Sequence, residues 1–500
     1  MGDYILSIDQ GTTSTRAVVF DQELNIISMA QEEFLQHFPK PGWVEHDPDD
    51  LFNTALSTCR EAISKADLTS VDIAGIGITN QRETTVLWDS ESGKPIHNAI
   101  VWQDRRAANL CADLIDAGHS EMVAERTGLL IDSYFSGTKI SWVLKNIEGA
   151  REKADAGKLL FGTVDTWLIW RLTGGTIHAT DATNASRTMI YDIRNGCWDQ
   201  DLLKLLDIPA SVLPEVKDCA ANFGGTLPEY FDGTIKICGA IGDQQSATVG
   251  QACFSPGMIK STYGTGCFAL LNTGDTIVRS KNRLLSTVAY QLDGSPSYAL
   301  EGSIFMAGAI VQWLRDGLKM INDATETQAL AHQSDDNQNV VMVPAFTGLG
   351  APYWDAEARG AIFGMSRGTG PAEIARAALE SVGYQTRDLI ESMYKDWNVT
   401  NNNDTILRVD GGMASSDWTM QFLSDILGVS VDRPKILETT AVGAAYMAGF
   451  YADLLPGPDE YAQKWVRESR FIPEMSTHLR KEKYDRWQDC VSRVLSEPPK

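Results

Sequence analysis

The chain has 500 residues, 43% hydrophobic and 22% charged, with a net charge of −23. That length points to two large domains rather than one core, and the acidic balance argues against nucleic acid as the main partner, because a phosphate backbone needs a basic face. No apolar run reaches the roughly 18 residues of a membrane span, and "MGDYILSID" has no basic cluster ahead of an apolar run. A cytoplasmic protein with no membrane insertion is therefore expected.

In chain order, "YILSID" and "RAVVF" read as strands around a bend, and "NIISMA" as a third strand. "DPDDLFNTALSTCREAISKA" reads as a helix capped by Asp47, with Pro48 in its first turn and Leu51, Phe52, Ala55, Cys59 and Ile63 on one face. "VDIAGIGIT" is an apolar strand suited to a sheet covered on both sides. "GTVDTWLIWRLTGG" is predicted to be a helix from about Asp165 that stops at Gly174 and Gly175. The second half repeats the plan. "GMIKSTYGTGCFALL" is again strand, bend, strand, and "GSIFMAGAIVQWLRDGL" and "PAEIARAALESVGYQTRDLIESM" are predicted to be helices. "TILRVDGG" is a strand running into a glycine pair, and "SDWTMQFLSDIL" and "TAVGAAYMAGF" are helices with a short strand between them. Tyr484, Trp487, Val491, Val494 and Leu495 have the spacing of a docked terminal helix. The seam is placed near Gly250, giving α/β domains over residues 1–249 and 250–500. The eight cysteines form neither a C-x-x-C pair nor a zinc pattern and read as reduced, mostly buried thiols.

Several short stretches carry chemistry. In "DQGTTSTR" the bend offers backbone N–H groups and the hydroxyls of Thr12, Thr13 and Ser14 to phosphate oxygens, with Arg16 adding positive charge. Asp9 would repel a phosphate directly but suits a Mg²⁺ lying between them. "TYGTGCF" repeats the recipe at Thr262, Gly264, Thr265 and Gly266, so two such bends can grip one polyphosphate from both sides. Gly411 and Gly412 follow a strand and precede a helix, leaving room for a base or ribose. Arg82 and Glu83 follow a buried strand and can pair with a polyol hydroxyl, and Asp243, beside Gln244 and Gln245, can take the proton of an attacking alcohol. Each motif also has an ordinary reading: a capping Asp, a surface ion pair, a plain strand-to-helix turn.

Taken together, "DQGTTSTRAVVF", "TNQRETTVLWD", "AIVWQDRR", "DSYFSGTKISWVL", "IGDQQSA", "STYGTGCFALLNTG", "PAFTGLGAPYWD", "RGAIFGMSRGT" and "RVDGGM" resemble, in order and over nearly the whole length, the FGGY family of carbohydrate kinases. The resemblance is to its members that act on glycerol. It implies two actin-like, ribonuclease-H-like domains with ATP and substrate in the cleft between them, and transfer of the γ-phosphoryl group to a terminal hydroxyl of glycerol. By the same resemblance Arg82, Glu83, Tyr134, Asp243 and Gln244 bind glycerol hydroxyls, and Trp102 and Phe268 pack on its carbons. Asp243 would be the general base. Thr12, Thr13, Ser14, Arg16 and Thr265 would hold phosphates, with Gly308, Gln312, Gly412 and Ser416 around the rest of the nucleotide and Asp9 and Asp243 near Mg²⁺. Ser416 stands where many members carry Asn near the adenine. Relatives form dimers and tetramers, so a homo-oligomer is expected. "FDGTIKI" lacks the Arg with which enteric relatives bind fructose 1,6-bisphosphate, and "PEMSTHLRKEKYDRW" differs from their patch for a sugar-transport protein, so neither regulation is carried over. Two other readings stay open: a kinase for another small polyol or a ketose, and a conformational ATPase of the actin type.

Overall fold

In the computed structural model, residues 2–335, 337–355, 357–398 and 406–496 are described. Two sheets organise them. The first is built from β1 (Tyr4–Gln10), β2 (Ser14–Phe20), β3 (Ile26–Glu33), β4 (Ile73–Asn80) and β5 (Ile237–Gly242), in the spatial order β5-β4-β1-β2-β3. The second contains β6 (Ile259–Tyr263), β7 (Cys267–Gly274), β8 (Leu285–Leu292), β9 (Ser295–Ile304), β10 (Ile406–Asp410), β11 (Ser430–Pro434) and β12 (Arg467–Phe471), in the order β8-β9-β7-β6-β10-β11-β12. The plan is duplicated. In each sheet the hairpin's first strand lies inside, pairs antiparallel with its successor, and on its other side runs parallel to a later strand, β4 in one case and β10 in the other. The carboxyl ends of β1, β4 and β5, and of β6 and β10, are thus brought to one edge of each sheet, where open α/β sheets bind ligands.

Local sequence accounts for most elements. Asp47 accepts from the Asp49 amide at the start of α1 (Pro48–Lys65), and Leu51, Phe52, Ala55, Cys59 and Ile63 are all buried. β4 is buried along its whole length, as its apolar run requires. The helix expected from Asp165 runs Val164–Leu172 and ends before Gly174. The later helices are α2 (Asp243–Gly250), α3 (Pro371–Trp397), α4 (Asp417–Leu427), α5 (Thr439–Tyr451) and α6 (Thr477–Ser492). In the terminal helix Trp487 is fully buried, donates Nε1 to Asp388 at 2.8 Å and stacks on Tyr384. All eight cysteines are free. No helix among the described residues is long and apolar enough to cross a membrane.

One expectation is corrected. The helix read over "GSIFMAGAIVQWLRDGL" begins only at Gly308, because Gly302, Ser303 and Ile304 end β9, paired to β7. β8 and β9 form a two-residue hairpin at Asp293-Gly294, both with positive φ, the backbone an Asp-Gly turn adopts.

α5 comes late in the sequence yet packs into the first sheet. Ala441, Ala444, Tyr446 and Ala448 share a core with Ile5, Val18, Ile241 and Val249. It also crosses α2 backbone to backbone. A Cβ on Gly443 would lie 1.9 Å from the Ser246 carbonyl oxygen, and one on Gly250 would lie 2.0 Å from that of Thr439. The crossing therefore requires glycine at both points.

Candidate active site

The first hairpin closes through Gly11 N–H to Ser14 O at 3.0 Å. Its bend is braced from behind: Gln81 Nε2 donates to Gly11 O at 3.0 Å, and Trp102 Nε1 to Thr12 Oγ1 at 2.9 Å. Thr13 is exposed, and Ser14 Oγ accepts from Gln31. Arg16 is held by Gln31 and by the carboxylate of Glu438. Asp9 stands opposite Arg16 in the β1–β2 register. Among the described residues nothing donates a hydrogen bond to its carboxylate. Burial pushes the Asp9 carboxyl up to about 7; Arg16 opposes the rise, and the Glu438 and Asp243 carboxylates add to it.

The second hairpin exposes Gly264 and Thr265. Gly264 O accepts from Gly308 N–H at 2.8 Å, and Thr265 O from the Ala307 and Ala309 amides at 3.0 Å. This seats the short helix Gly308–Gln312 on the bend and leaves Gln312 exposed. Gly411 ends β10 at φ +85°, and a Cβ there would lie 2.6 Å from Tyr263 O, so only glycine lets the two segments meet. Gly412 faces open space. Ser416 precedes α4. Its hydroxyl donates to Gln328 and accepts from Thr419 N and Oγ1, which uses its single proton and both lone pairs. It caps α4.

Between the hairpins lies a compact polar cluster. Arg82 and Glu83 follow β4, and Asp243 opens α2 directly after β5, with Gly242 N–H fixed by Thr183 Oγ1 at 2.9 Å. Arg82 Nε is 3.0 Å from Asp243 Oδ1, and the Asp243 side chain is 31% exposed. Gln244 Oε1 accepts from the buried Lys260 of β6 at 2.6 Å, which links α2 to the second hairpin. Glu83 holds a left-handed backbone, φ +60°, that a non-glycine residue adopts only under constraint. The constraint is visible: its carbonyl accepts from Thr85 Oγ1, Ser136 Oγ and Lys139 Nζ at 3.0, 3.0 and 3.1 Å. Trp102 meets Tyr134 and Phe268 edge-on, with ring centroids 5.7 and 6.5 Å away. Phe268 comes from β7, so this aromatic wall has contributions from both halves of the chain.

The structure thus gathers Asp9, Thr12, Arg16, Arg82, Glu83, Trp102, Tyr134, Asp243, Gln244 and Phe268 through a chain of direct contacts or close charges. Thr265 and Gly308 sit together at the second hairpin, and Gly412 follows Gly411, which packs on Tyr263 of that hairpin. Sequence reading passed over four charged residues here. Arg187 and Glu301 are buried partners of Arg82 and Glu83, Lys260 binds Gln244, and Glu438 binds Arg16. The one available signal was Glu301 itself, a lone acid inside the apolar run "YALEGSI". Among the described residues no cluster of three or more His, Cys, Asp or Glu forms a metal cage. Two carboxylates are nevertheless enough for Mg²⁺, which completes its shell with substrate phosphates and water.

Comparison with known proteins matches this arrangement to one family. Residues 4–250 fit the N-terminal domain, and residues 259–452 the C-terminal domain, of the FGGY family of carbohydrate kinases. The glycerol kinase of Roseobacter denitrificans is 63% identical over 492 residues, covering 98% of this chain and 99% of that one. That of Rhizobium meliloti is 62% identical over 495 residues, 99% of each. The crystal structure of Plasmodium falciparum glycerol kinase with ADP superposes with a TM-score of 0.92 at 38% identity, covering 99% of this chain and 98% of that one. A gluconate kinase from Lactobacillus acidophilus, 22% identical with a TM-score of 0.86 over 98% and 97% of the two chains, shares the fold.

Proposed function

The chain belongs to the FGGY family of carbohydrate kinases, and on that premise we propose that it moves the γ-phosphoryl group of ATP to a terminal hydroxyl of glycerol, giving sn-glycerol 3-phosphate and ADP. Its activity is that of a glycerol kinase. The observation that carries the reading is the juxtaposition of Arg82, Glu83 and Asp243 with the aromatic wall of Trp102, Tyr134 and Phe268. Glycerol has three hydroxyls on three carbons, so recognition must pair several hydroxyls at once and cover a short apolar backbone. A site built to pair hydroxyls rejects molecules that leave its groups unpaired.

In this reading Asp243 accepts the proton of the attacking hydroxyl. Its Oδ1 is engaged by Arg82 and by the Gln244 amide at 2.6 Å, and no described residue hydrogen-bonds Oδ2, so one oxygen remains free to act as base. Arg82, Glu83, Tyr134 and Gln244 orient the alcohol. The hairpin at Gly11 and the one at Gly264 present backbone amides and the hydroxyls of Thr12, Thr13, Ser14 and Thr265 to the phosphates, and Gly308, Gln312 and Gly412 flank the nucleoside. Phosphoryl transfer needs positioning and charge neutralisation more than covalent chemistry from the protein. Asp9 and Asp243 are the residues that would hold Mg²⁺: their donors are all oxygen, among the described residues nothing donates to the Asp9 carboxylate, and carboxylates crowd it. The ion would neutralise charge on the β- and γ-phosphates.

Two outcomes follow. Against glycerol, dihydroxyacetone, erythritol, xylulose and gluconate, ATP consumption should be fastest with glycerol, and Phe268→Ala should raise the glycerol KM about tenfold while admitting erythritol, since one lost apolar contact is worth roughly that factor. A longer sugar preferred by the wild-type protein would favour the other-polyol reading. The second concerns pH. The Asp9 carboxyl titrates near 7 before Mg²⁺ binds, so below that pH a proton must leave first. Mg²⁺ affinity of the ADP-bound protein, followed by calorimetry, should therefore rise about tenfold from about pH 6 to 8 through this group. Asp9→Asn should lose that increment, and the difference between the two proteins separates Asp9 from the nucleotide's own titration.

A further inference from the structure

Four buried charges form a closed ring behind the cluster. Arg82 Nη1 and Nη2 reach Oε2 and Oε1 of Glu301 at 2.5 and 3.2 Å. The same Glu301 Oε1 accepts from Arg187 Nη2 at 2.9 Å, and Arg187 Nε donates to Glu83 Oε1 at 2.7 Å. All four side chains are at most 2% exposed. Two guanidinium groups balance two carboxylates, so the ring is neutral without Asp243. Glu301 belongs to β9 of the second sheet, whereas Arg82 and Glu83 follow β4 of the first.

The ring decides how Arg82 meets Asp243. A guanidinium offers a fork of terminal nitrogens that pairs best with a carboxylate through two parallel hydrogen bonds. Glu301 accepts one N–H from each terminal nitrogen of Arg82, and Gln245 Oε1 accepts a second from Nη1 at 3.2 Å, so the fork faces Glu301 and Arg82 meets Asp243 through Nε, at 3.0 Å from Oδ1. Without Glu301 only the neutral Gln245 still holds the fork, at 3.2 Å, against the pull of the Asp243 carboxylate, and the fork can turn to engage both Asp243 oxygens. A carboxylate held in that way is a poorer proton acceptor. Arg187 shares Glu301 and restrains Glu83 from the other side.

We propose that Glu301 and Arg187 are positioning residues for phosphoryl transfer: Glu301 withholds the Arg82 fork from Asp243, and Arg187 holds Glu83 toward the alcohol. The inference rests on Asp243 as the base. Besides Phe268, it gives the second sheet an indirect part in alcohol recognition, through a carboxylate that acts on Arg82.

Steady-state kinetics test it, using the alcohol the wild-type protein phosphorylates fastest. A failure of the glycerol reading then shows in the wild type, before any variant is compared. Glu301→Gln keeps the shape and removes the charge. It is expected to lower kcat about 10²-fold and raise the alcohol KM about tenfold, while the ATP KM stays within about twofold, because the interaction lost acts at the reacting alcohol and not at the nucleotide. Glu301→Asp restores the charge and should recover about tenfold of the lost kcat. Arg187→Gln combined with Glu301→Gln should lose less than the product of the two single losses, since both act through one carboxylate oxygen. A kcat within about threefold of wild type in Glu301→Gln overturns the proposal, and so does an ATP KM that rises as far as the alcohol KM. Should circular dichroism show Glu301→Gln unfolded, Glu301→Asp is judged by the same split: reduced kcat with unchanged ATP KM supports the positioning role, and wild-type kinetics overturns it.

Discussion

Replacing Asp243 by Asn is expected to lower kcat about 10³-fold while leaving glycerol binding, and ADP binding without Mg²⁺, nearly intact, the effect of removing a positioned base. The geometry separates the two consequences. An asparagine oxygen can still accept from Arg82 Nε and from the Gln244 amide, the contacts that fix Asp243 Oδ1 at 3.0 and 2.6 Å. The Gly242 amide remains fastened to Thr183, so the start of α2 stays in place. What the amide cannot do is take a proton at the second position, where the carboxylate has its free oxygen. The loss therefore falls on kcat and kcat/KM alike, the pattern of an interaction made only in the transition state. Equilibrium binding of glycerol, and of ADP without Mg²⁺, checks that the ground state is untouched. Near-normal turnover in this variant would remove Asp243 from the role of base.

The second large effect is structural. Gly443→Val should destabilise the fold by about 3 kcal/mol, at the upper end of overpacking costs. The added Cβ meets the Ser246 carbonyl carbon and oxygen at 2.6 and 1.9 Å, and both are backbone atoms of α2 with no rotamer to change. Separation of the helices is opposed further along, where Gly77 packs on the Ala444 carbonyl with a notional Cβ contact of 2.0 Å. Activity should fall as well, because α2 carries Asp243 at its first position, and a shift of about 1 Å at a reacting group costs on the order of 10² in rate. Urea denaturation and kcat on the folded protein read the two parts. Wild-type values for both would mean that this crossing is not what fixes the base.

The first hairpin, the cap at Asp47 and the terminal helix were legible because their signals are local: alternation into a glycine bend, a capping side chain two residues from its amide, a repeat of apolar positions. The duplicated hairpins pointed to the cleft for the same reason. Long-range pairing was not legible. Glu301 lies 219 residues from Arg82 and 114 from Arg187, and nothing in the chain between them records the contact. The helix at Gly308 starts later than its small and apolar residues suggest, so Glu301 lies within a strand whose inward face the local pattern does not mark. At Ser416 the family resemblance points to the nucleotide, while the local sequence also suits a helix cap, and in the fold its hydroxyl accepts from the Thr419 amide as that cap. α5 shows the same limit at larger scale: its small residues read as an ordinary apolar helix, and only the packing reveals that they let two backbones touch.

On the proposed reading, the bends at Gly11 and Gly264 close on one ATP and bring its terminal phosphorus to an alcohol at Asp243. Incubation with γ-labelled ATP, Mg²⁺ and glycerol tests it most directly. The label should appear on sn-glycerol 3-phosphate, with release as inorganic phosphate negligible beside it. Label released as inorganic phosphate at a rate indifferent to glycerol would instead mark a conformational ATPase and contradict the account.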